Sequence, residues 1–159
     1  MPNAVEMLKS DHQKVTALFR QYEAAGDRAY QKKQGIAETV FTELEIHTTL
    51  EEELFYPAMK RQTDQDGKDL VAEAIEEHHV VTTLMDELKG LDPKDERYDA
   101  KFTVLMENVE HHIEEEEGEM FPEAEEVLGD RLERLSQQME QRKEQLTAAL
   151  PSAKGAARR

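Results

Sequence analysis

Apolar residues recur at helical spacing along most of this chain. The first of them lie three, four or seven residues apart: Val5, Leu8, Val15, Phe19 and Tyr22. This spacing places them on one face of an α-helix. Asn3 and Glu6 have the spacing of a capping box, and Gly26 follows the stripe. The pattern therefore predicts a first amphipathic helix that starts after Asn3 and runs to about Ala25.

Three more apolar stripes predict three more helices. The second helix is expected to begin between residues 28 and 34 and to end near residue 62. It should loosen at Pro57, because proline has no backbone N–H to donate. Residues 63–68 are rich in Asp, Gln and Gly and predict a connecting loop. The third helix is expected over about residues 69–89, and the fourth from about residue 95 to Pro122.

A fifth, shorter helix is predicted after these four. Gly129-Asp130 is typical of a helix stop followed by an N-cap, and Glu133 holds the capping-box position. The apolar positions that follow again share one face: Leu132, Leu135, Met139, Leu146 and Leu150. The predicted organisation is a helical bundle over residues 1–128, a fifth helix packed on it over residues 129–150, and a disordered tail over residues 151–159.

Ligand-type polar residues interrupt the apolar stripe of each of the first four helices. Each stripe carries one histidine, and two stripes also carry a glutamate four residues later: His12, His47, Glu51, His78, His112 and Glu116. A lone histidine on such a stripe is more often a hydrogen-bonded core residue than a ligand. Burying four imidazoles and two carboxylates without partners, as a metal-free bundle would, costs on the order of several kcal/mol. The six residues together therefore indicate a metal site.

The His-x-x-x-Glu pair occurs twice in the same context. His47 precedes Glu51 and His112 precedes Glu116, and in both copies a proline follows the glutamate by six residues. On a helix, two residues four positions apart leave the same face one turn apart. Each copy is also preceded by a helix with one inward histidine, so the chain has the plan of a duplicated helical hairpin. This plan predicts an all-α fold, an antiparallel up-down-up-down four-helix bundle to which the fifth helix is added.

The types of ligand narrow the choice of metal. Imidazole and carboxylate together suit iron, manganese or zinc, and two carboxylates can bridge a pair of ions. A closed zinc site needs only four ligands, so six ligands favour a binuclear centre. His79 and His111 are expected as outer neighbours, and Glu115 as a supporting side chain or an alternative ligand. The remaining glutamates of the two motifs are expected to form solvated faces: Glu52, Glu53, Glu114 and Glu117.

Charge and composition exclude several classes of function. The chain has 36 acidic and 20 basic residues, and its net charge of −16 opposes binding to nucleic acid or to anionic membrane surfaces. It has no cysteine, which excludes a disulfide framework, a thiolate metal site and a thiol nucleophile. The N-terminus lacks the pattern of a secretory signal, and no apolar stretch is long enough to span a bilayer. We therefore expect a cytoplasmic protein.

Four segments resemble the hemerythrin-like, HHE cation-binding family in its small, single-domain bacterial form: Asp11-His12, residues 47–57, Glu77-His78 and residues 111–122. The resemblance covers about residues 3–125. It implies a non-haem centre of two iron ions with an oxo or hydroxo bridge inside a four-helix bundle. On the matching positions it assigns the four histidines of the set above as terminal ligands and the two glutamates as bridging ligands.

One departure from the family pattern concerns the third helix. The oxygen-carrying hemerythrins have a fifth histidine one turn from the histidine of this helix, whereas here Ala74 and Thr82 occupy those positions. The resemblance then implies that the iron without this imidazole holds water, an external ligand, or another side chain such as Tyr22 or Tyr56. Such a position suits reaction with a small molecule better than reversible oxygen carriage.

The resemblance and the missing histidine together imply a protein that reacts with or binds a small oxidant: hydrogen peroxide, dioxygen or nitric oxide. We expect a role in oxidative or nitrosative stress defence, with catalase-like activity if the protein is an enzyme. The alternative is a non-catalytic module that senses or stores iron, oxygen or nitric oxide. In either case we expect a monomer or a weak homodimer.

Overall fold

The computed structural model describes residues 2–150, and all regular secondary structure in that range is helical. The prediction of an all-α protein is confirmed. Seven α-helices are joined end to end: α1 (Ala4–Ala24), α2 (Tyr30–Leu50), α3 (Tyr56–Gln62), α4 (Gln65–Lys89), α5 (Glu96–Glu115), α6 (Phe121–Leu128) and α7 (Arg131–Ala148). Two π-helical segments, Glu51–Phe55 and Glu116–Met120, connect α2 to α3 and α5 to α6. The predicted tail over residues 151–159 lies outside the described residues.

The four long helices form the bundle. α1 packs on α2 and α4 packs on α5, while α1 also contacts α5 and α2 also contacts α4. The fifth helix of the sequence prediction is α7, which packs against α1, α2 and the first π-helical segment. Within residues 2–150, no helix is long and apolar enough to cross a membrane.

The bundle contains two apolar cores with a polar layer between them. One core includes Leu8, Leu50 and the buried residues of α7, and the other includes Val15, Leu44 and Val109. His12 stands between Leu8 and Val15 on α1, and His47 stands between Leu44 and Leu50 on α2. The apolar cores therefore fix the level at which the ligand-type residues meet.

The connection between α3 and α4 differs from the sequence prediction. The expected loop over residues 63–68 is much shorter, because α4 already begins at Gln65. Asp64 is its N-cap, and the side chain accepts a hydrogen bond of 3.0 Å from the Gly67 backbone N–H. A Cβ atom at Gly67 would lie 1.8 Å from Thr63 Oγ1, so this helical position accommodates glycine for steric reasons. The loop-like composition of residues 63–68 therefore reflects the helix cap at Asp64 and the close approach of the Thr63 side chain to Gly67.

Of the two capping boxes predicted from the sequence, one is present in the structure and the other is absent. The capping box at the start of α1 is confirmed, since Glu6 N–H donates to Asn3 Oδ1 and Asn3 N–H donates to Glu6 Oε1. The capping box expected before α7 is wrong. Asp130 has helical backbone angles and its side chain caps no N–H, whereas Gly129 makes the turn with a φ of 48°.

The two π-helical segments accommodate the prolines that follow them. Before Pro57 the Tyr56 N–H donates to the Glu51 carbonyl, five residues back, and before Pro122 the Phe121 N–H donates to the Glu116 carbonyl. The predicted loosening at Pro57 is therefore a single wider turn. Because a π turn needs more residues than an α turn, side chains five positions apart return to the same side. Glu51 and Tyr56 thus both face the bundle interior.

Candidate metal centre

The structure brings the six predicted ligand residues into one buried cluster. They form two overlapping groups, one of His12, His47, Glu51 and Glu116 and the other of Glu51, His78, His112 and Glu116. Within each group, one ligand atom from every residue lies within 4.8 Å of the others. Since Glu51 and Glu116 belong to both groups, two cation positions would share both carboxylates. This arrangement suits two metal ions and is richer than one four-ligand site needs.

The imidazoles point the same ring nitrogen at the shared carboxylates. His47 Nε2 and His78 Nε2 lie 3.3 Å and 3.1 Å from Glu51 Oε1. His12 Nε2 lies 3.1 Å from Glu116 Oε1, and His112 Nε2 lies 3.3 Å from Glu116 Oε2. Each glutamate is therefore approached by one histidine from each half of the chain.

A second ring of carboxylates holds the other nitrogen of every imidazole. The Nδ1 atoms donate to Glu117 from His12 (2.7 Å), to Asp11 from His47 (2.9 Å), to Glu52 from His78 (2.6 Å) and to Glu77 from His112 (2.6 Å). Because a carboxylate accepts at Nδ1, the proton of the neutral ring sits there and the Nε2 lone pair is free to bind a cation.

The sequence interpretation missed this ring. Glu52 and Glu117 are exposed, as expected for solvated faces, and each also accepts a hydrogen bond from a buried histidine. Asp11 and Glu77 had no role assigned to them. The signal was present in the sequence, because each of the four carboxylates is the immediate neighbour of a ligand-type residue.

The electrostatics of the cluster favour positive charge. Burial by itself lowers the pKa of His47, but Glu51 and Asp11 outweigh burial and raise the pKa well above its ordinary value. Burial likewise opposes the shift at His112, where Glu116, Glu51 and Glu77 raise the pKa to about 10. Burial raises the pKa of Glu51, yet the neighbouring His47 lowers it well below its usual range. The site therefore attracts cations, either protons or metal ions.

Two polar atoms of the cluster have no hydrogen-bond partner. Among the described residues, the buried side-chain atoms without a partner include His47 Nε2 and Glu51 Oε2. An unpaired buried polar atom costs about 1–3 kcal/mol. Both atoms belong to the same four-ligand group, and a cation placed there would satisfy them together. The unpaired atoms thus fit a cation bound at this group.

Tyr56 completes the His78 side of the cluster. Its hydroxyl donates to Glu116 Oε2 (2.5 Å) and lies 3.2 Å from both Glu51 Oε1 and His78 Nε2. Burial, followed by the charges of Glu51 and Glu116, raises the pKa of the phenol well above its ordinary value. The phenol is therefore protonated in the metal-free site. Ala74, where the oxygen carriers' fifth histidine was sought, is buried beside the cluster and offers no ligand atom.

The other predicted neighbours lie outside the cluster. Tyr22 stacks on Phe102 and donates to Asp99 Oδ1 (2.6 Å), so its predicted place at the metal is wrong. His79 is exposed. His111 is 68% exposed and lies 2.9 Å from Glu115 Oε1, consistent with the expected outer position. Glu115 contacts Glu77, whose proximity raises the pKa of the Glu115 carboxyl.

A small cavity adjoins the cluster on the side of the second apolar core. Its volume is about 20 Å³, and its walls combine the four imidazoles with aliphatic side chains: Val15, Leu44, Val81, Val109 and Ile113. A cavity of this size holds a molecule about as large as water.

The family model described as the hemerythrin HHE cation-binding domain matches residues 3–124. The chain belongs to the hemerythrin HHE cation-binding family. A crystal structure of another family member, the Rv2633c homologue from Mycobacterium kansasii, superposes with a TM-score of 0.80 at 30% identity. The match covers 94% of this chain and 90% of that one. Family membership and the buried His/Glu cluster together indicate metal binding at this site.

Two curated relatives match the same region at lower identity. An uncharacterized hemerythrin-like protein from Schizosaccharomyces pombe is 24% identical over 122 residues, which are 77% of this chain and 59% of that protein. A protein from Nostoc sp. named a DNA nickase is 25% identical over 119 residues, which are 75% of this chain and 32% of that protein. The hemerythrin chain described here therefore spans about a third to three fifths of the length of these relatives.

Proposed function

We propose that this hemerythrin-family chain is a di-iron protein that reacts with small oxidants, with hydrogen peroxide as the first substrate to test. The observation that supports this is the pair of four-ligand groups that share Glu51 and Glu116. His12 and His47 would hold one ion, His78 and His112 the other, and the two glutamates would bridge them. The proposal includes an oxo or hydroxo bridge and the up-down-up-down order of the four long helices.

The residues of the chain prepare the site for such a reaction. When bound, a pair of iron ions supplies two redox equivalents for the cleavage or reduction of a small oxidant. The outer carboxylates hold the Nδ1 protons and so direct the Nε2 atoms inward. The aliphatic walls of the cavity limit the access of water. Tyr56 holds a proton on its phenol oxygen beside both bridging carboxylates.

Tyr56 also supports reaction over oxygen carriage. The phenol oxygen lies 3.2 Å from His78 Nε2, on the side where the oxygen carriers have an additional histidine. We propose that Tyr56 or a small molecule takes that position in the metal-loaded protein. A phenol can donate a proton to a reacting molecule or accept one from it. An imidazole that serves as a metal ligand in a closed site does not offer this proton transfer.

Peroxide consumption by the iron-loaded protein tests this function. We expect consumption well above that of free iron at the same concentration, and its loss in His112→Ala with the fold retained by circular dichroism. His79→Ala is the matched control, because His79 is a neighbouring but exposed histidine and its loss should change nothing. Turnover no faster than that of free iron would reject the catalase-like activity.

A sensor is the second candidate function, and one observation favours it. α7 touches the support of the metal centre, since Lys143 Nζ lies 3.4 Å from Asp11 Oδ1. A change in the centre could therefore alter the docking of α7. Protease cleavage of α7 that differs between the metal-free, iron-loaded and nitric-oxide-treated protein, in the absence of turnover, would favour sensing.

The activity named for the Nostoc relative is not part of this proposal. The match covers 32% of that protein. A net charge of −16 also opposes the approach of a phosphate backbone. Retention of a labelled DNA duplex by this chain at low salt would contradict this exclusion.

A further inference from the structure

The C-terminal helix α7 lies beyond the region that matches the family model, which ends at residue 124. Leu132, Leu135 and Met139 anchor it in the same apolar core that contains Leu8 of α1. The next turns of the helix carry two cations, Arg142 and Lys143, that reach the bundle. The two cations pair with different carboxylates: Arg142 with Glu53 and Lys143 with Asp11.

Arg142 makes a surface contact only. Its guanidinium lies 2.8 Å from Glu53 Oε1 and also donates to Glu53 Oε2 at 3.2 Å. Glu53 is exposed, points away from the cluster and contacts none of the six ligand-type residues through a hydrogen bond in the described part of the chain. This pair holds α7 against the first π-helical segment without reaching the metal centre.

Lys143 is connected to the centre through one buried carboxylate. Its Nζ lies 3.4 Å from Asp11 Oδ1, and the other oxygen of Asp11 accepts from His47 Nδ1 at 2.9 Å. Asp11 is only 8% exposed, so solvent screens these contacts weakly. Burial raises the pKa of Asp11, but His47 and Lys143 outweigh it and hold the pKa below its usual value.

The equivalent carboxylate on the other half, Glu77, forms no ion pair with a lysine or arginine within residues 2–150. Glu77 accepts from His112 Nδ1 at 2.6 Å, and its neighbour is the carboxyl of Glu115. The ammonium group of Lys143 beside Asp11 makes that carboxylate a weaker acceptor, and Glu77 lacks a lysine or arginine partner of this kind among the described residues. An imidazole whose Nδ1–H is held less strongly is a poorer donor to a metal.

We propose that Lys143 is a positioning residue of the metal centre, which acts through Asp11 to weaken His47 as a ligand and to make the His12/His47 position electron-poorer than the His78/His112 position. This inference rests on the proposed metal centre. It implies that the ion held by His12 and His47 is bound less tightly and is reduced more easily than the other ion. The charge of Lys143, and not the docking of α7, produces the difference.

The direction in which metal affinity changes when Lys143 is replaced distinguishes this role from a structural one. Loss of the Lys143 charge should tighten metal binding at one position, because Asp11 becomes a stronger acceptor and a repulsive cation is removed. Loss of a merely structural contact should loosen the site. Residues that directly support metal ligands change affinity by about 10–100-fold, so a residue one contact further out should change it by about tenfold or less.

The experiment compares Lys143→Met with Lys143→Arg and Arg142→Gln. Co²⁺ is the probe, with affinities at both positions from chelator competition, and the reduction potential is measured on the iron-loaded proteins. We expect Lys143→Met to bind one Co²⁺ more tightly and to have a lower potential. Lys143→Arg keeps the charge and Arg142→Gln removes only the surface pair, so both should match the wild type. Thermal unfolding checks that each variant is folded.

Three outcomes would overturn the inference. The first is that Lys143→Met equals the wild type in both measurements. The second is that Lys143→Met binds Co²⁺ more weakly, in step with Arg142→Gln. The third is that the wild type binds fewer than two Co²⁺ ions. Peroxide consumption is recorded on the same iron-loaded samples. A wild type that binds metal without consuming peroxide rejects the proposed activity and leaves the Lys143 inference standing, whereas an unaltered Lys143→Met rejects the inference alone.

Discussion

The two halves of the metal centre have the same ligands in different surroundings. His12 and His47 share Glu51 and Glu116 with His78 and His112, and each of the four imidazoles has a carboxylate at Nδ1. The aromatic residue that follows each π-helical segment differs by one hydroxyl: Phe121 stacks on His12, whereas Tyr56 stacks on His78. The duplicated hairpin thus repeats the ligand-type residues of the cluster and varies the groups around them.

The outer partners of the two halves differ as well. Asp11, which supports His47, meets the cation of Lys143, whereas Glu77, which supports His112, meets the carboxyl of Glu115. The two ion positions therefore have different local charge even though their ligand types are identical. In the proposed di-iron centre, this chemical asymmetry would specialise one ion position for reaction with a small molecule.

The shared carboxylates are the point at which the two halves depend on each other most. Glu51→Ala should reduce the metal content from two ions per chain to less than one, because both four-ligand groups contain Glu51. His47→Ala should remove one ion only, since His47 belongs to one group. Elemental analysis after loading and desalting measures both, with the exposed Glu114→Ala as the control. Equal losses in Glu51→Ala and His47→Ala would contradict the bridged arrangement.

The hydroxyl of Tyr56 is the sharpest difference between the halves. Tyr56→Phe makes the two aromatic positions alike and removes the donor to Glu116 Oε2. We expect peroxide consumption to fall by roughly 10²-fold, the lower range for loss of a positioned proton donor. The metal content should remain at two ions per chain, since all six proposed ligands are intact. Phe121→Tyr is the reciprocal variant, and turnover unaffected by Tyr56→Phe would show that the phenol is a spectator.

The outer carboxylates should affect metal affinity in proportion to the strength of their hydrogen bonds with the imidazoles. Asp11→Asn and Glu77→Gln each replace a carboxylate that accepts from a ligand histidine. We expect about 10–100-fold weaker binding of one metal ion in each variant. Because Lys143 already weakens Asp11 as an acceptor, Asp11→Asn should cost less than Glu77→Gln. Chelator competition with Co²⁺ measures both, and a larger loss in Asp11→Asn would reverse this order.

The sequence singled out the six ligand-type residues because each lies on the buried stripe of its helix. His47 and Glu51 interrupt a row of apolar residues, and the proline that follows fixes the register of the repeat. The outer carboxylates escaped notice because Glu52 and Glu117 each stand one residue from a ligand-type residue and remain exposed at the edge of the cluster. Their partners are contributed by the other half of the chain, which helical periodicity alone does not position.

Tyr22 shows the opposite error. It lies on the same apolar stripe as His12 and was one of the side chains considered for the position of the missing fifth histidine. Ten residues of helix correspond to about 15 Å along the axis, which places Tyr22 in the second apolar core. A stripe defines the face of a helix, and only the layer at which other helices contribute polar residues defines the site.

The smallest effect concerns the metal-free protein and its dependence on pH. His112 has a pKa of about 10 in the folded chain, above the ordinary value of about 6.5, because Glu116, Glu51 and Glu77 outweigh burial. A raised folded pKa stabilises the fold fully below the ordinary value and loses that contribution as pH rises toward 10. The thermal unfolding midpoint of the metal-free protein should therefore decline between about pH 6.5 and pH 9, and less steeply in His112→Gln.

The metal-loaded protein should show the opposite trend. Protons compete with metal ions for the Nε2 atoms, so loading fails in acid and improves as pH rises. Dialysis at about pH 4 should release the ions from all four histidines, whose ordinary pKa is about 6.5. If the His12/His47 position is the electron-poorer one, its ion should leave first as the pH is lowered. The absorption of bound Co²⁺ measures this release. Loss of both ions in a single step would indicate that the two halves hold metal equally well.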